Sequence, residues 1–355
     1  MTSLNLVRPD LKDNIAYAPS DETLTYRLNT NELPWSPLPS EQAALNRYPS
    51  IEQERLLQSK LADLYQVSDD ELLITRGSDE GIECLMRLFL NPGQDGIIQC
   101  PPTFSMYGFF ARLYQGFVID CPLNEEDGFQ VPIEQLDRNW NPGCKLIMLC
   151  RPNNPTGNSI DLSVVTALCE RFQNRSIIVV DEAYIEFSGE ISATSLIRRF
   201  DNIIVLRTLS KAYGLAGLRL GAVIAQPCLL EILRNTLPPF RLASTVMNTA
   251  RLTVADTAWF TQKIAQIQAS RQTLSETLQT LPWIERVYPS AANFLLIKTR
   301  DAFRLFQWLS QNDIAVRQFS DHPPLQYFLR ITIGNRMENT LLLDAFRAFQ
   351  GEDIR

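Results

Sequence analysis

The chain has 355 residues, 45% hydrophobic and 21% charged, with 33 Lys and Arg against 40 Asp and Glu and a formal net charge of −7. At about 150 residues per domain this length suggests about two domains, and the apolar content excludes a wholly disordered chain. The acidic balance argues against nucleic acid as a partner, since that binding works by neutralising phosphate charge.

The first 40 residues contain Pro9, Pro19, Pro34, Pro37 and Pro39 and read as an irregular arm. The start MTSLNLVRPDLKDN lacks a signal-peptide core, and no run reaches the roughly 18 apolar residues of a membrane span. The expectation is a cytoplasmic protein, or one of an organelle matrix that has lost a targeting segment, with no membrane partner. IEQERLLQSKLADLY predicts a helix from the spacing of Leu56, Leu57, Leu61 and Leu64. A strand, ELLIT, and a helix, DEGIECLMRLFL, follow. DGIIQC, GFVIDC, KLIMLC, SIIVV, NIIVLRT and LGAVIA are short, mostly continuous apolar runs, several of them separated by helical patterns. That is the pattern of a mostly parallel sheet covered by helices. Residues 228–280 read as mostly helical. They end in the long stretch TAWFTQKIAQIQASRQTLSETLQTL. NFLLIK, a helix near 301–311, IAVRQF, YFLRITIG and a closing helix from about 337 complete the chain. The expected α/β architecture is an arm at 1–40, a large domain at 41–270 with a mostly parallel sheet, and a smaller α+β domain at 271–355. The arm is expected to pack on the small domain or on a partner subunit.

Seven Cys and no C-x-x-C fit reduced thiols better than a disulfide framework. His322 is the only His, in a turn-like Asp-His-Pro-Pro, which excludes a His-rich zinc site. No metal is expected.

Ligands of an open parallel sheet bind beyond the carboxyl ends of its strands. Four predicted strands run into polar clusters: ELLIT into Arg76-Gly77-Ser78-Asp79-Glu80, KLIMLC into Arg151-Pro152-Asn153-Asn154, SIIVV into Asp181-Glu182-Ala183-Tyr184, and NIIVLRT into Leu209-Ser210-Lys211. A desolvated Lys211 would have a lowered pKa and act as a nucleophile toward aldehydes; the plain alternative is a surface loop Lys. Arg219 would suit an anionic cofactor group, or be an ordinary ion-paired Arg. A carboxylate after Ile and Val, as Asp181 is, needs a partner such as a pyridinium N–H, or else caps the next segment. Tyr184 could reach the same ligand or sit in the core. Asn154 could donate to a phenolate oxygen or merely make a turn. Gly77-Ser78-Asp79 before a helix forms an anion site, provided Asp79 and Glu80 point away, or Ser78 or Asp79 simply caps the helix. Phe104 could stack on a ring or belong to the core.

These residues together resemble the fold-type I pyridoxal-phosphate aminotransferases, through PNNPTG, DEAYIEF, TLSKAYGLAGLRLG and LRITIG in that order. Within that family LNTNELP, NRYP, TRGSDEGIE and CPPTFSMY are similar to the histidinol-phosphate branch. The resemblance implies pyridoxal 5'-phosphate as cofactor, held by Lys211 as a Schiff base. Asp181 would keep the pyridine nitrogen protonated, and Asn154 and Tyr184 would bond the phenolic oxygen. Gly77, Ser78, Asp79, Thr208, Ser210 and Arg219 would surround the phosphate, and Phe104, where the branch usually has Tyr, would stack on the ring. Tyr48 would reach the phosphate of the neighbouring subunit's cofactor, which implies a homodimer. Tyr17, Asn31, Asn293, Arg317 and Arg330 would line the substrate side. The implied reaction is transamination between histidinol phosphate and 2-oxoglutarate, giving glutamate.

Three alternatives stay open: an aromatic aminotransferase, since Arg330 could bind a carboxylate equally well; a phosphothreonine decarboxylase on the same scaffold; and a cofactor-binding regulator without turnover. The regulator should carry a helix-turn-helix unit, for which the arm leaves no room. An NAD enzyme is disfavoured, because no G-x-G-x-x-G follows a first strand.

Overall fold

The computed structural model describes residues 2–13, 30–33, 35–36, 45–319 and 323–350. Its larger sheet has seven strands: β1 (Leu72–Thr75), β2 (Gly96–Gln99), β3 (Phe117–Asp120), β4 (Cys144–Cys150), β5 (Ile177–Asp181), β6 (Ile203–Thr208) and β7 (Gly221–Ile224). Their order is β1-β7-β6-β5-β4-β2-β3. All run parallel except β7, which is antiparallel to both neighbours. The apolar runs of β5 and β6 are buried at every position, as central strands covered on both faces must be.

Helices cover both faces. One core cluster takes residues from α2 (Ile51–Tyr65), α6 (Leu162–Arg171) and α8 (Ser244–Thr253), and the other from α3 (Gly77–Phe89), α4 (Met106–Leu113) and α7 (Pro227–Asn235). The short α5 (Ile133–Asn139) adds Leu136 to the first. α2 starts where Ser50 and Gln53 cap each other reciprocally, each bond 3.2 Å.

The arm departs from the expected irregularity at its beginning. Thr2–Leu6 form a helix, α1. Val7 is 2% exposed within the second cluster, and Arg8 N donates to Leu88 O at 3.0 Å. Residues 2–8 therefore pack on the large sheet's helices rather than on the smaller body, with Leu6 and Val7 supplying the apolar surface.

The long helix α9 (Thr257–Gln279) joins two cores: Phe260 packs in the large one, Leu274 and Leu278 in the small. The smaller sheet has four antiparallel strands in the order β10-β11-β9-β8, formed by β8 (Arg286–Val287), β9 (Phe294–Lys298), β10 (Arg317–Gln318) and β11 (Phe328–Thr332). α9, α10 (Ala302–Gln311) and α11 (Arg336–Ala348) cover the face bearing Leu329 and Ile331. The opposite face, with Phe328 and Leu296, meets Phe129 of the larger body. Side chains alternate along a strand, so Arg330 lies on the Phe328 face, toward the large sheet. IAVRQF is shorter as a strand than its apolar run suggests. Only Arg317 and Gln318 join the ladder, while Ile314 and Val316 pack against the small core. No helix among the described residues is long and apolar enough to cross a membrane.

Candidate active site

Register decides which strand ends meet. Cys150 of β4 pairs with Asp181 of β5, while Gly221 of β7 pairs with Thr208 of β6 on one side and Thr75 of β1 on the other. The four polar clusters therefore open on one edge of the sheet. They enclose a cavity of about 120 Å³.

At its floor Asp181 is 2% exposed. Tyr107 Oη donates to its Oδ2 at 2.8 Å and Ala183 N to its Oδ1 at 3.1 Å. Asp181 thus does cap its own turn, yet it makes no ion pair among the described residues. Burial pushes its carboxyl up to about 6, and those two hydrogen bonds only partly offset it. A buried carboxylate with spare lone pairs and no ion pair is suited to a cationic N–H brought by a ligand.

One wall is the N-terminus of α3. The helix begins at Gly77 with Arg76 as N-cap, and no side chain caps it, so Ser78 and Asp79 are inside the helix rather than capping it. Gly77 has φ +77°, and a Cβ there would stand 2.9 Å from Arg219 Nη2. Gly221 is equally constrained, since a Cβ would stand 2.8 Å from Ser78 N. Glu80 turns away and pairs with Arg76 at 2.7 Å. Asp79 does not turn away: Arg219 Nη2 donates to its Oδ2 at 3.1 Å, and Arg219 Nη1 donates to Ser210 Oγ at 3.3 Å. Thr208 Oγ1 accepts from Ser210 N at 3.1 Å. A helix N-terminus, two hydroxyls and a guanidinium form an anion cup.

Lys211 enters from the turn after β6. Its Nζ lies 5.7 Å from the centroid of the Tyr184 ring. Burial and then Arg330 hold its ammonium below the usual range, which enlarges the fraction of neutral amine. Asn154 is central: its Nδ2 donates to Tyr184 Oη at 3.3 Å, and its Oδ1 accepts from Arg330 Nη1. Tyr184 is buried edge-on against Phe294 at 5.2 Å. Burial raises its hydroxyl pKa, so it remains a neutral donor.

Ser78, Asp79, Phe104, Asn154, Asp181, Tyr184, Thr208, Ser210, Lys211 and Arg219 line this one cavity. Gly77 supports it through the backbone. Asn293 and Lys211 line a second, wider cavity near Trp259 and Gly334. Arg317 is exposed on edge strand β10, directly across from Arg330. Asn31 is exposed with φ +58° and does not line the first cavity. Tyr48 stacks on Phe240 at 4.7 Å, outside its own chain's cavity. Tyr17 and His322 lie outside the described residues. The sequence reading missed Tyr107 and Cys150. Tyr107, in the first turn of α4, sits three residues after Phe104 and meets its ring edge-on, and Cys150 is the last residue of β4.

Fold and cavity define a lysine-centred, anion-binding α/β enzyme. The chain belongs to the aminotransferases of class I and II, whose family model matches residues 27–346. It is 47% identical over 352 residues to histidinol-phosphate aminotransferase 1 of Legionella pneumophila strain Lens, covering 99% of this chain and 97% of that one. It is 37% identical to the histidinol-phosphate aminotransferase of Francisella philomiragia, covering 99% and 97%. Among solved structures, the histidinol-phosphate aminotransferase of Sinorhizobium meliloti in complex with pyridoxal-5'-phosphate matches with a TM-score of 0.76 at 22% identity, covering 90% of each chain.

Proposed function

We propose that this chain transfers the amino group of L-histidinol phosphate to 2-oxoglutarate, giving imidazole-acetol phosphate and glutamate in histidine biosynthesis, with pyridoxal 5'-phosphate as cofactor. The observation that carries this reading is the pairing of Lys211 and Asp181 in one cavity with the anion cup at Arg219, in a chain whose relatives match end to end. The cavity fits the cofactor on its own chemistry. Asp181 makes no ion pair among the described residues, Gly77 leaves no room for a side chain beside Arg219, and no side chain caps the N-terminus of α3.

When bound, the cofactor's conjugated ring takes up the electron pair left as the substrate C–H bond breaks. Lys211 would hold the cofactor covalently through Nζ. Once displaced by the substrate amine, Nζ would carry the proton taken from the substrate carbon, which a lowered pKa favours. Asp181 would hold the ring nitrogen's proton. Asn154 Nδ2 and Tyr184 Oη would donate to the phenolic oxygen, and Ser78, Thr208, Ser210 and Arg219 would surround the phosphate, with Asp79 balancing Arg219. Phe104 would cover the ring and exclude water. Arg330 would grip the substrate anion as a planar fork, with Arg317 as second cation and Tyr17, Asn31 and Asn293 at the substrate side.

The unit we propose is a cytoplasmic homodimer in which Tyr48 reaches the partner's cofactor phosphate. Supporting this, Tyr48 is exposed and does not line its own chain's cavity, and Leu33, Trp35 and Ile51, near it in sequence, are exposed apolar residues too. Purified protein given 2-oxoglutarate should form glutamate with histidinol phosphate far faster than with phenylalanine. It should release no carbon dioxide from phosphothreonine. A preference for phenylalanine, or decarboxylation, would overturn the reading in favour of the corresponding alternative.

A further inference from the structure

Tyr107 is fully buried on α4, 74 residues before the carboxylate it touches. Its ring meets Phe104 edge-on at 5.6 Å, so one short segment supplies both a cover for the cavity and a donor beneath its floor. We propose that Tyr107 is a positioning residue for Asp181: its hydroxyl, donated to Oδ2, keeps the carboxylate ionised and leaves the remaining lone pairs aimed into the cavity. This rests on the reading that Asp181 receives the cofactor's ring N–H.

The groups around Asp181 leave few others for the task. Burial favours its neutral form, and the carboxylates of Asp79 at the start of α3 and Glu182, the next residue, act in the same direction. Cys150, across the ladder on β4, has a thiol that burial also keeps neutral and that donates to Pro152 O at 3.2 Å. Tyr184 is held neutral by burial. Lys211 supplies a positive charge but no hydrogen bond to Asp181. Among the described residues the donors are Tyr107 Oη and Ala183 N, and only the first is a side chain. Burial and Asp181 itself push the Tyr107 hydroxyl well above its ordinary value. It is therefore a fixed neutral donor across the working pH range and does not itself titrate.

Tyr107→Phe removes only the hydroxyl. In cofactor-free protein, carbon-13 NMR of the Asp181 carboxyl should show its titration moving upward by about one to two pH units, the worth of one charge-assisted hydrogen bond. With cofactor bound, the pyridine nitrogen-15 resonance should move toward the neutral form, and the single-turnover rate with histidinol phosphate should fall about 10-fold or more, with substrate affinity changed less than about 3-fold. In an Asp181→Asn background Tyr107→Phe should add no further loss, whereas a merely structural role would add its full effect. Should Tyr107→Phe fold poorly, wild-type protein carrying 3-fluorotyrosine gives the opposite sign: a more acidic hydroxyl donates more strongly, and Asp181 should titrate lower. An unchanged Asp181 titration in a folded variant, or equal losses in both backgrounds, overturns the proposal. A shifted titration combined with a harmless Asp181→Asn would sustain the contact and overturn instead the reading of Asp181 as the ring-nitrogen partner.

Discussion

Asp181 ionises at a cost that sets a pH dependence. Its carboxyl titrates at about 6 in the folded chain against an ordinary 3.8. Between these values the folded chain holds a proton that the unfolded chain has released. The stability of cofactor-free protein should therefore fall as pH rises from about 4 to about 6, by on the order of 3 kcal/mol. Asp181→Asn removes that loss. Urea denaturation of the cofactor-free proteins should find the variant more stable than wild type at pH 7, with the gap closing toward pH 4. A gap independent of pH would contradict the burial argument. Loaded with cofactor, the same variant should lose far more single-turnover rate than substrate affinity. At this scale the sequence was informative wherever a polar residue interrupts an apolar run. Lys211, Asp181 and Asn154 stand out for that reason, and the structure gathers them. Tyr107 was not legible, because an aromatic among Phe104, Met106, Phe109 and Phe110 reads as core until the carboxylate beside its hydroxyl is known.

The β10–β11 ladder sets two guanidinium groups opposite each other. Arg317 and Arg330 are register partners, and residues directly across a ladder point to the same face. Like charges so placed repel, and Arg317 adds to burial, the larger cause, in lowering the Arg330 pKa. A bound dianion would relieve that repulsion more than a single carboxylate would. Arg317→Ala should therefore reduce kcat/KM for the histidinol-phosphate half-reaction more than for the glutamate half-reaction. Arg330→Lys should reduce both, since it keeps the charge but loses the fork. Equal losses from Arg317→Ala, or none, would leave Arg317 without a role at the phosphate. Apolar runs announced the strands, but not every direction or length. LGAVIA forms β7, antiparallel within an otherwise parallel sheet, because a run buried on both faces looks the same read either way. IAVRQF was overread as a strand because edge pairing ends after two residues.

Among the described residues α9 joins a larger body to a smaller one, and we propose the boundary between them near residue 270, between Phe260 and Leu274. Arg330 of the smaller body bonds Asn154 of the larger, so the residues proposed for the substrate anion and for the cofactor touch across the junction. The homodimer reading makes a separate demand. Inactive Lys211→Ala and impaired Tyr48→Phe subunits, mixed and exchanged, should regain activity, since each hybrid then has one undamaged site. No recovery after confirmed exchange would place Tyr48 in its own subunit's site. Composition does not suggest such an arrangement, since Tyr48 reads as any exposed aromatic; it is proposed through the resemblance that includes NRYP.

The most direct measurement is borohydride reduction of the cofactor-loaded protein followed by peptide mass spectrometry. A pyridoxyl group should be found on Lys211, and the visible absorbance should vanish on reduction. Label on a different lysine, or a protein that never takes up a chromophore, would contradict the assignment of the cavity between Asp181 and Arg219.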